Sequence, residues 1–596
     1  MRHFCFYVSL TFLVFILINT GLPAQNDWQT PFETAPNTSA TYQQTIAFYE
    51  RLAQAYPTRF QLAPYGDTDA GHPLHVAVYA ADGQFSPRAA HDNQKTIVFI
   101  NNAIHPGEPC GVDASMLFFR DLLQDPNWQE QIEDVVIVAI PFYNIGGGLN
   151  RGAYSRANQN GPAAHGFRGN ARNLDLNRDF IKADSRNART FNQIYATWRP
   201  HIFIDNHTSN GADYQYVLTL IATQHNKLGG PLAELLQEDM LPYLFDQMED
   251  TDYPMTPYVY VRNTPEDGIA GFLDLPRYSS GYAALHHALS FMPETHMFKP
   301  FGDRVRSVYH FMQAATTYAQ VARSKILTAR REAEVRTAQQ EVFPINWSLD
   351  RARADTLLFK GYTAKTKPSD ISGQERMYYD RNEPWEKPVP HFNYYRATDS
   401  VQAPEAYILP YAYGEVARRL HWNGVRMYQL TADTELPVTF YRIDDFGTRN
   451  AYEGHYLHYN VAVSEQETTH TFRKGDYVIF TDQPINRYLV ETLEPQAPDS
   501  WFAWNFFDGI LQQKEYFSSY VFEDLAADYL AQNPGLQRRL EQRKQEDPDF
   551  ATSARAQLDF IYRNSPYYEP THRRYPVGLL RDAGRQLPLK EAEVPH

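Results

Sequence analysis

The chain is long and acidic. Its 596 residues carry a formal net charge of −15, and 43% of them are hydrophobic, 21% charged and 14% aromatic. Because a single domain usually spans about 100–250 residues, this length predicts at least two domains, and the composition is that of a globular protein rather than a disordered one. The negative charge and the lack of a basic stripe argue against a nucleic-acid partner.

The N-terminal residues have the pattern of a secretory signal peptide, which we assign to residues 1–24. An apolar run from Phe4 to Ile18 follows a short basic start, and Ala24 stands at the predicted cleavage site. The alternative is an uncleaved anchor, but the run is shorter than the ~20 residues of a spanning helix. We therefore expect a secreted or periplasmic protein with no stable membrane span after signal removal, which keeps Cys110 as its only cysteine.

Strands and helices alternate in the first half of the chain. This alternation predicts an α/β domain over residues 25–325 with a central, mixed but largely parallel sheet, whose ligands gather at the carboxyl ends of the strands. The predicted elements are a helix at about 41–56, strands at 74–78 and 96–100, a helix starting near Pro109, a strand at 135–140, a helix at 190–198 and a strand at 201–205.

The pattern changes in the second half. A helix rich in Ala, Arg and Glu is predicted from about 306 to 340, and its second part belongs to a predicted helical linker at 326–344. Short strands among Pro and aromatic residues then predict a separate β-rich accessory domain over 345–510.

Helical spacing returns in a C-terminal region, residues 511–596. We expect the aromatic run at 501–507 to fill a core, although aromatic side chains also stack on sugars. The positions predicted to pack in the helical region are Leu525, Tyr529, Leu536 and Leu540.

Two predicted strand ends carry residues that suit a metal ion. His105 and Glu108 lie three residues apart after one strand, and His207 follows another. Zinc accepts imidazole nitrogen and carboxylate oxygen, and a catalytic zinc site has three protein ligands. These residues predict a site for one zinc ion. On its own, the pair of His105 and Glu108 is equally typical of a solvated loop. On its own, His207 is typical of a hydrogen-bonded structural residue.

A segment between these positions is rich in groups that bind carboxylates. Arg178 has a planar guanidinium that fits a carboxylate with two hydrogen bonds, and Asn177 adds a neutral donor. The segment therefore suits a substrate with a free carboxylate. A salt-bridged turn is the alternative interpretation.

Together these motifs resemble the zinc carboxypeptidase family typified by pancreatic carboxypeptidase A. The resemblance covers about residues 40–325 and includes the glycine-bounded turn at 66–71. It implies an α/β/α sandwich, one zinc ion and a peptide substrate with a free C-terminal carboxylate. The motifs, in chain order, are His105-x-x-Glu108, Asp175-x-Asn177-Arg178 and His207.

The resemblance also implies a role for each matching residue. His105, Glu108 and His207 would bind zinc, and Asp175 would orient His105. Asn177 and Arg178 would receive the terminal carboxylate. Arg156 would face the developing oxyanion, and Glu294, on a predicted apolar strand, would take a proton from the attacking water.

One role of the family has no clear counterpart in the sequence. The tyrosine that covers the substrate normally stands farther upstream of the base, so Tyr278 and Tyr282 are both candidates, and we favour Tyr278. Arg277 is a further candidate for substrate binding, in place of Arg178 or together with it.

Two other function classes stay open at this level. The same scaffold serves zinc-dependent amidases and deacylases that act on N-acyl amino acids or cell-wall peptides. A catalytically inactive exported binding protein would have lost a ligand or the base, whereas all four positions are filled here. A serine hydrolase is disfavoured because no Gly-x-Ser-x-Gly elbow is present.

Overall fold

A computed structural model describes residues 28–582 and 587–594 of the chain. The predicted signal peptide lies outside the described residues. Among the described helices, none combines the length and apolar character needed to cross a bilayer.

The first half of the chain forms a nine-stranded mixed sheet. Its strands are β1 (Phe60–Asp67), β2 (Pro73–Ala80), β3 (Thr96–Asn101), β4 (Val135–Ile140), β5 (Ile202–Asp205), β6 (His207–Ser209), β7 (Leu218–Ala222), β8 (Met255–Pro257) and β10 (Leu289–His296); β9 (Ile269–Ala270) belongs to another sheet. The strand order is β1-β2-β4-β3-β5-β10-β7-β8, and β6 pairs with β10. The neighbouring pairs β4–β3, β3–β5 and β5–β10 are parallel, so the carboxyl ends of these four strands meet at one edge.

Helices cover both faces of this sheet. They are α1 (Pro31–Thr34), α2 (Tyr42–Ala55), α3 (Pro87–Asp92), α4 (Cys110–Gln124), α5 (Pro126–Gln131), α6 (Ile145–Leu149), α7 (Arg186–Trp198), α8 (His225–Leu228), α9 (Gly230–Leu235), α10 (Leu241–Glu249), α11 (Ser279–Leu285), α12 (Phe301–Val321) and α13 (Arg323–Gln339). The turn at 66–71 joins β1 and β2.

The central strands are buried on both faces, as their continuous apolar sequences predict. In β3, Val98 and Ile100 belong to a core packed against α2, α4 and α12, whereas Ile97 and Phe99 belong to a second core on the opposite face. The α/β/α fold class is therefore confirmed, and its predicted elements match observed ones within a few residues.

The second half contains long antiparallel strands and a helical end. Its strands are β11 (Val342–Leu349), β12 (Asp355–Pro368), β13 (Glu375–Phe392), β14 (Tyr395–Gln402), β15 (Ala406–Leu409), β16 (Tyr428–Leu430), β17 (Thr434–Thr448), β18 (His458–Phe472), β19 (Tyr477–Phe480), β20 (Gly578–Leu580) and β21 (Leu589–Glu591). Its helices are α14 (Gly414–Trp422), α15 (Asn486–Leu493), α16 (Ser519–Gln532), α17 (Pro534–Glu546), α18 (Pro548–Thr552) and α19 (Ala554–Arg563).

The two halves share a hydrophobic core. The second core of the central sheet includes Phe99 and Phe203 from the first half together with Leu420 and Trp501 from the second. Strand β13 also pairs with β9, which lies within the first half. The β-rich region therefore packs directly on the α/β layers, while the domain boundaries proposed above stay predictions.

Two local predictions need correction. The helix expected at 306–340 is two helices, because the backbone leaves helical geometry at Ala322, and α13 packs Ile326 into the core instead of leading away. Leu525 was expected to pack, but it is 40% exposed, since α16 buries the face that carries Phe522 and Ala526. Leu536 and Leu540 are buried, and Tyr529 is partly buried.

Candidate active site

The strand ends bring His105, Glu108 and His207 together. Strands β3 and β5 are parallel neighbours in which Asn101 pairs with Asp205, so the loops that follow them leave the sheet at one place. Nδ1 of His105 lies 3.4 Å from Oε2 of Glu108, and Nδ1 of His207 lies 3.2 Å from the same oxygen. All three side chains are buried.

This spacing fits a tetrahedral metal ion. Ligand atoms at ~2.0–2.2 Å from zinc lie roughly 3.3–3.6 Å from one another in a tetrahedral site. One ligand atom from each of the three residues lies within 4.8 Å of the other two. A buried set of two imidazoles and a carboxylate is also the donor set that catalytic zinc prefers. The residues present therefore fit one zinc ion.

Carboxylates orient both histidines. Nε2 of His105 lies 2.9 Å from Asp175, and Nε2 of His207 lies 2.9 Å from Asp205. These contacts leave both Nδ1 atoms facing Glu108, which is the arrangement that fixes a metal-binding tautomer. Asp205 was not among the residues predicted from sequence, although its place at the end of β5 was a usable signal.

Neighbouring charges oppose the effect of burial on the pKa values of Glu108 and His207. Burial alone would raise the pKa of Glu108, but Arg156 and His105 outweigh it and hold that pKa well below its usual value. Burial alone would lower the pKa of His207, but the carboxylate of Asp205 outweighs it and raises that pKa. The protonated imidazole competes with a metal ion for the same nitrogen, so ion binding at this site releases a proton.

Glu294 lies beside the three converging residues. It pairs with His207 in the parallel contact between β10 and β6, and it lines the same cavity of about 640 Å³. Burial raises its pKa to about 7, with Glu108 adding to the effect and His207 opposing it. A carboxylate in such an environment is suited to accept and return a proton near neutral pH. His296, two residues on, instead contacts Asp213.

Two arginines approach Glu108 from the cavity. Nη1 of Arg156 lies 3.0 Å from Oε1 of Glu108, and Nη1 of Arg168 lies 3.4 Å from the same oxygen. Arg168 also donates from Nε to Asp175 at 2.9 Å. Its side chain is 42% exposed, compared with 17% for Arg156. Only Arg156 was predicted, and Arg168, which stands just before the Asp175 segment, is a second candidate.

The predicted carboxylate-binding residues line the same cavity. Asn177 accepts a hydrogen bond from the backbone of Ser279, and Arg178 stacks on the ring of Tyr278 with its guanidinium carbon 4.5 Å from the ring centroid. Tyr258 and Phe272 complete this wall. No local motif marks the last two in the sequence.

The structure separates the alternatives around Tyr278. Tyr278 lines the cavity, whereas Tyr282 is fully buried and donates to Asn423 at 2.6 Å. Arg277 forms an ion pair of 2.8 Å with Asp499 and lies over the ring of Trp504. Arg277 is therefore held by the second half of the chain, outside the cavity of Glu294.

Residues 45–216 match the profile of the zinc carboxypeptidase family. This matched segment, less than a third of the chain, is similar to that family. The matched range contains His105, Glu108 and His207, whereas Tyr278 and Glu294 lie beyond it. The family is one of zinc-dependent peptidases, which agrees with the buried donor set described above.

The relatives that the chain matches are distant in sequence. Carboxypeptidase 2 of Trichophyton tonsurans is 27% identical over 116 residues, and Carboxypeptidase 2 of Trichophyton rubrum is 26% identical over 116 residues. Each alignment covers 19% of this chain and 19% of the relative, so the chain spans about a fifth of the length of these relatives.

Solved structures that resemble part of the chain are also distant in sequence. A metallo-carboxypeptidase from Pseudomonas aeruginosa, in complex with (2-guanidinoethylmercapto)succinic acid, is 16% identical over 48% of this chain and 70% of its own, with a TM-score of 0.36. Carboxypeptidase A from Helicoverpa armigera is 14% identical over 49% of this chain and 74% of its own, with a TM-score of 0.36.

Proposed function

We propose that the chain is an exported, zinc-dependent carboxypeptidase that removes C-terminal residues from peptides. One observation carries this proposal: a cavity of about 640 Å³ joins the buried His105, Glu108 and His207 to Glu294 and to Arg178. A metal site, a base and a carboxylate-binding group are the parts that hydrolysis of a terminal peptide bond requires. Export rests on the signal-peptide pattern of residues 1–24.

The substrate is bound through its C-terminal residue. Arg178 pairs with the terminal carboxylate, Asn177 adds a hydrogen bond, and Tyr278 covers the bound residue. The cavity also contains Arg156 and Arg168, so with Arg178 its three arginines outnumber its two carboxylates, Glu108 and Glu294. This local field favours a substrate that carries a negative charge at its terminus.

Side chains around the cavity then carry out the hydrolysis. A zinc ion held by His105, Glu108 and His207 would supply Lewis acidity and lower the pKa of a nearby water. Glu294 takes a proton from the attacking water and gives it to the leaving nitrogen. Arg156, with Arg168 as the alternative, stabilises the oxyanion that develops on the carbonyl.

Replacement of Glu294 by glutamine tests the mechanism. The substitution keeps shape and hydrogen bonding but removes the base, so kcat on hippuryl-type peptides should fall about 10²–10⁴-fold while zinc content stays at one ion per chain. Glu266→Gln, in an exposed 3₁₀ turn where the carboxylate pairs with Lys387, is the matched control. Unchanged chelator-sensitive hydrolysis by the Glu294 variant would contradict the mechanism.

The substrate panel separates the carboxypeptidase from the other classes. We expect release of C-terminal amino acids from hippuryl-type peptides. Hydrolysis confined to N-acyl amino acids or peptidoglycan fragments would instead indicate an amidase or deacylase. A zinc-loaded protein that binds peptides without cleaving any of them would indicate a binding protein.

A further inference from the structure

Arg178 is positioned by a tyrosine from the second half of the chain. Its Nε donates to the hydroxyl of Tyr452 at 2.9 Å, and its Nη1 donates to the carbonyl of Asn177 at 2.8 Å. The ring of Tyr278 supports the guanidinium from one face. Among the described residues, Nη2 has no hydrogen-bond partner, so its two N–H groups stay available for a carboxylate.

The position of Tyr452 is itself well determined. Its ring stacks on Trp504 at a centroid distance of 6.1 Å and an interplanar angle of 20°. Arg277 lies over both rings and is anchored by Asp499. The backbone of Tyr452 forms two hydrogen bonds with His455, which close a tight turn. This turn holds the hydroxyl rigidly against Arg178.

The next residue along the same turn fixes the other end of the Asp175–Arg178 segment. Glu453 accepts a hydrogen bond of 2.8 Å from the backbone N–H of Asp175. Glu453 has a φ of +50°, an uncommon left-handed conformation for a residue other than glycine. His455 then contacts Asp184 at 2.7 Å. The turn at 452–455 is therefore fastened to the α/β half at three points.

Tyr452 also separates two cavities. Arg178 lines the cavity of Glu294, whereas Tyr452 lines a neighbouring cavity of about 1470 Å³ between the β-rich region and the α/β half, and Tyr278 lines both. A drug-sized ligand needs about 300–1,000 Å³, so the larger cavity has room for several peptide residues. The contact between Tyr452 and Arg178 lies between that space and the metal ligands.

We propose that Tyr452 is a specificity-determining residue of the proposed carboxypeptidase, on whose function this inference rests. Its hydroxyl aims Arg178 at a free terminal carboxylate, and its ring closes the cavity behind that carboxylate. Substrates that end in a free carboxylate are bound, and substrates that continue past it are rejected. Glu453 is a positioning residue for the same segment.

The test compares hippuryl-phenylalanine with its C-terminal amide. Tyr452→Phe removes the hydroxyl and keeps the ring, so KM for the acid should rise about tenfold with kcat nearly unchanged, and the preference for the acid over the amide should shrink by the same factor. Tyr452→Ala also opens the wall, and it should add cleavage of peptides extended beyond the scissile residue. Tyr456→Phe, 64% exposed on the same loop, is the matched control and should leave both values unchanged.

Binding measurements distinguish this inference from the proposed function. Calorimetric titration of zinc-loaded Glu294→Gln protein with the acid and with the amide reports recognition without hydrolysis. The inference predicts that the added Tyr452→Phe substitution weakens binding of the acid about tenfold and leaves the amide unchanged. Equal loss for both ligands, or an unchanged acid preference in a folded Tyr452→Phe protein, would overturn the inference even if the wild type is an active carboxypeptidase.

Discussion

The two halves of the molecule contribute to the active site in different ways. The α/β half places His105, His207 and Glu294 at the ends of parallel strands, where the sheet itself determines their distances. The β-rich half contributes no candidate metal ligand among the described residues, but its turn at 452–455 holds Arg178 and Asp175. In the proposed carboxypeptidase, the sheet edge would supply the chemistry, and the turn at 452–455, outside the matched family range, would position a residue that binds the substrate.

After the loss expected for Glu294→Gln, the next largest effect concerns the arginines of the α/β half. Removal of one oxyanion donor typically lowers kcat about 10²–10³-fold, and we expect this loss in Arg156→Ala with little change in KM. Arg168→Ala should have a smaller effect on kcat. Steady-state kinetics on the two purified variants checks this. If Arg168→Ala loses more activity than Arg156→Ala, the oxyanion role belongs to Arg168, and Arg156 serves to neutralise Glu108.

The next prediction concerns the shared core. Leu420 in α14 is fully buried against residues of the α/β half, and its replacement by alanine should cost about 2–5 kcal/mol. Because the core is common, we expect denaturation of both halves to shift together when followed by tryptophan fluorescence and by activity. Leu525→Ala, at a position 40% exposed, should change stability by less than about 0.5 kcal/mol. Separate transitions for the two probes would show that the halves are independent domains.

A smaller effect on stability depends on pH and comes from one residue of the second half. Glu494 is fully buried and accepts a hydrogen bond of 2.6 Å from Tyr407. Burial raises its pKa to about 7 from an ordinary 4.5, so the folded state favours the protonated form. The protonated carboxyl contributes fully to the free energy of unfolding below about pH 4.5, and this contribution is lost as the pH rises through 7.

Glu494→Gln should remove this dependence. The variant should gain on the order of 3 kcal/mol over the wild type at pH 8, relative to the difference between them at pH 4. Urea denaturation at both pH values measures it, with the exposed Glu593→Gln as control. A variant that loses stability at pH 8 would show that the ionised carboxylate is the stabilising form.

The sequence predicted one half of the molecule better than the other. In the α/β half, apolar runs define strands, and His105 with Glu108 lies within a few residues of a strand end, so local patterns suffice. The contacts of Arg178 with Tyr452 and of Asp175 with Glu453 join residues 274 and 278 positions apart. Such pairing depends on how the second half docks, which no local pattern encodes. Arg168 and Asp205 were missed because charged residues near a motif are common, and only their distances to Glu108 and His207 distinguish them.

The central claim is that His105, Glu108 and His207 hold one zinc ion beside Glu294. Anomalous diffraction at the zinc edge from crystals of the zinc-loaded protein tests it directly. The account predicts a single peak within about 2.0–2.2 Å of Nδ1 of His105, Nδ1 of His207 and a carboxylate oxygen of Glu108. A peak elsewhere, or no peak from a protein that still hydrolyses peptides, would contradict it.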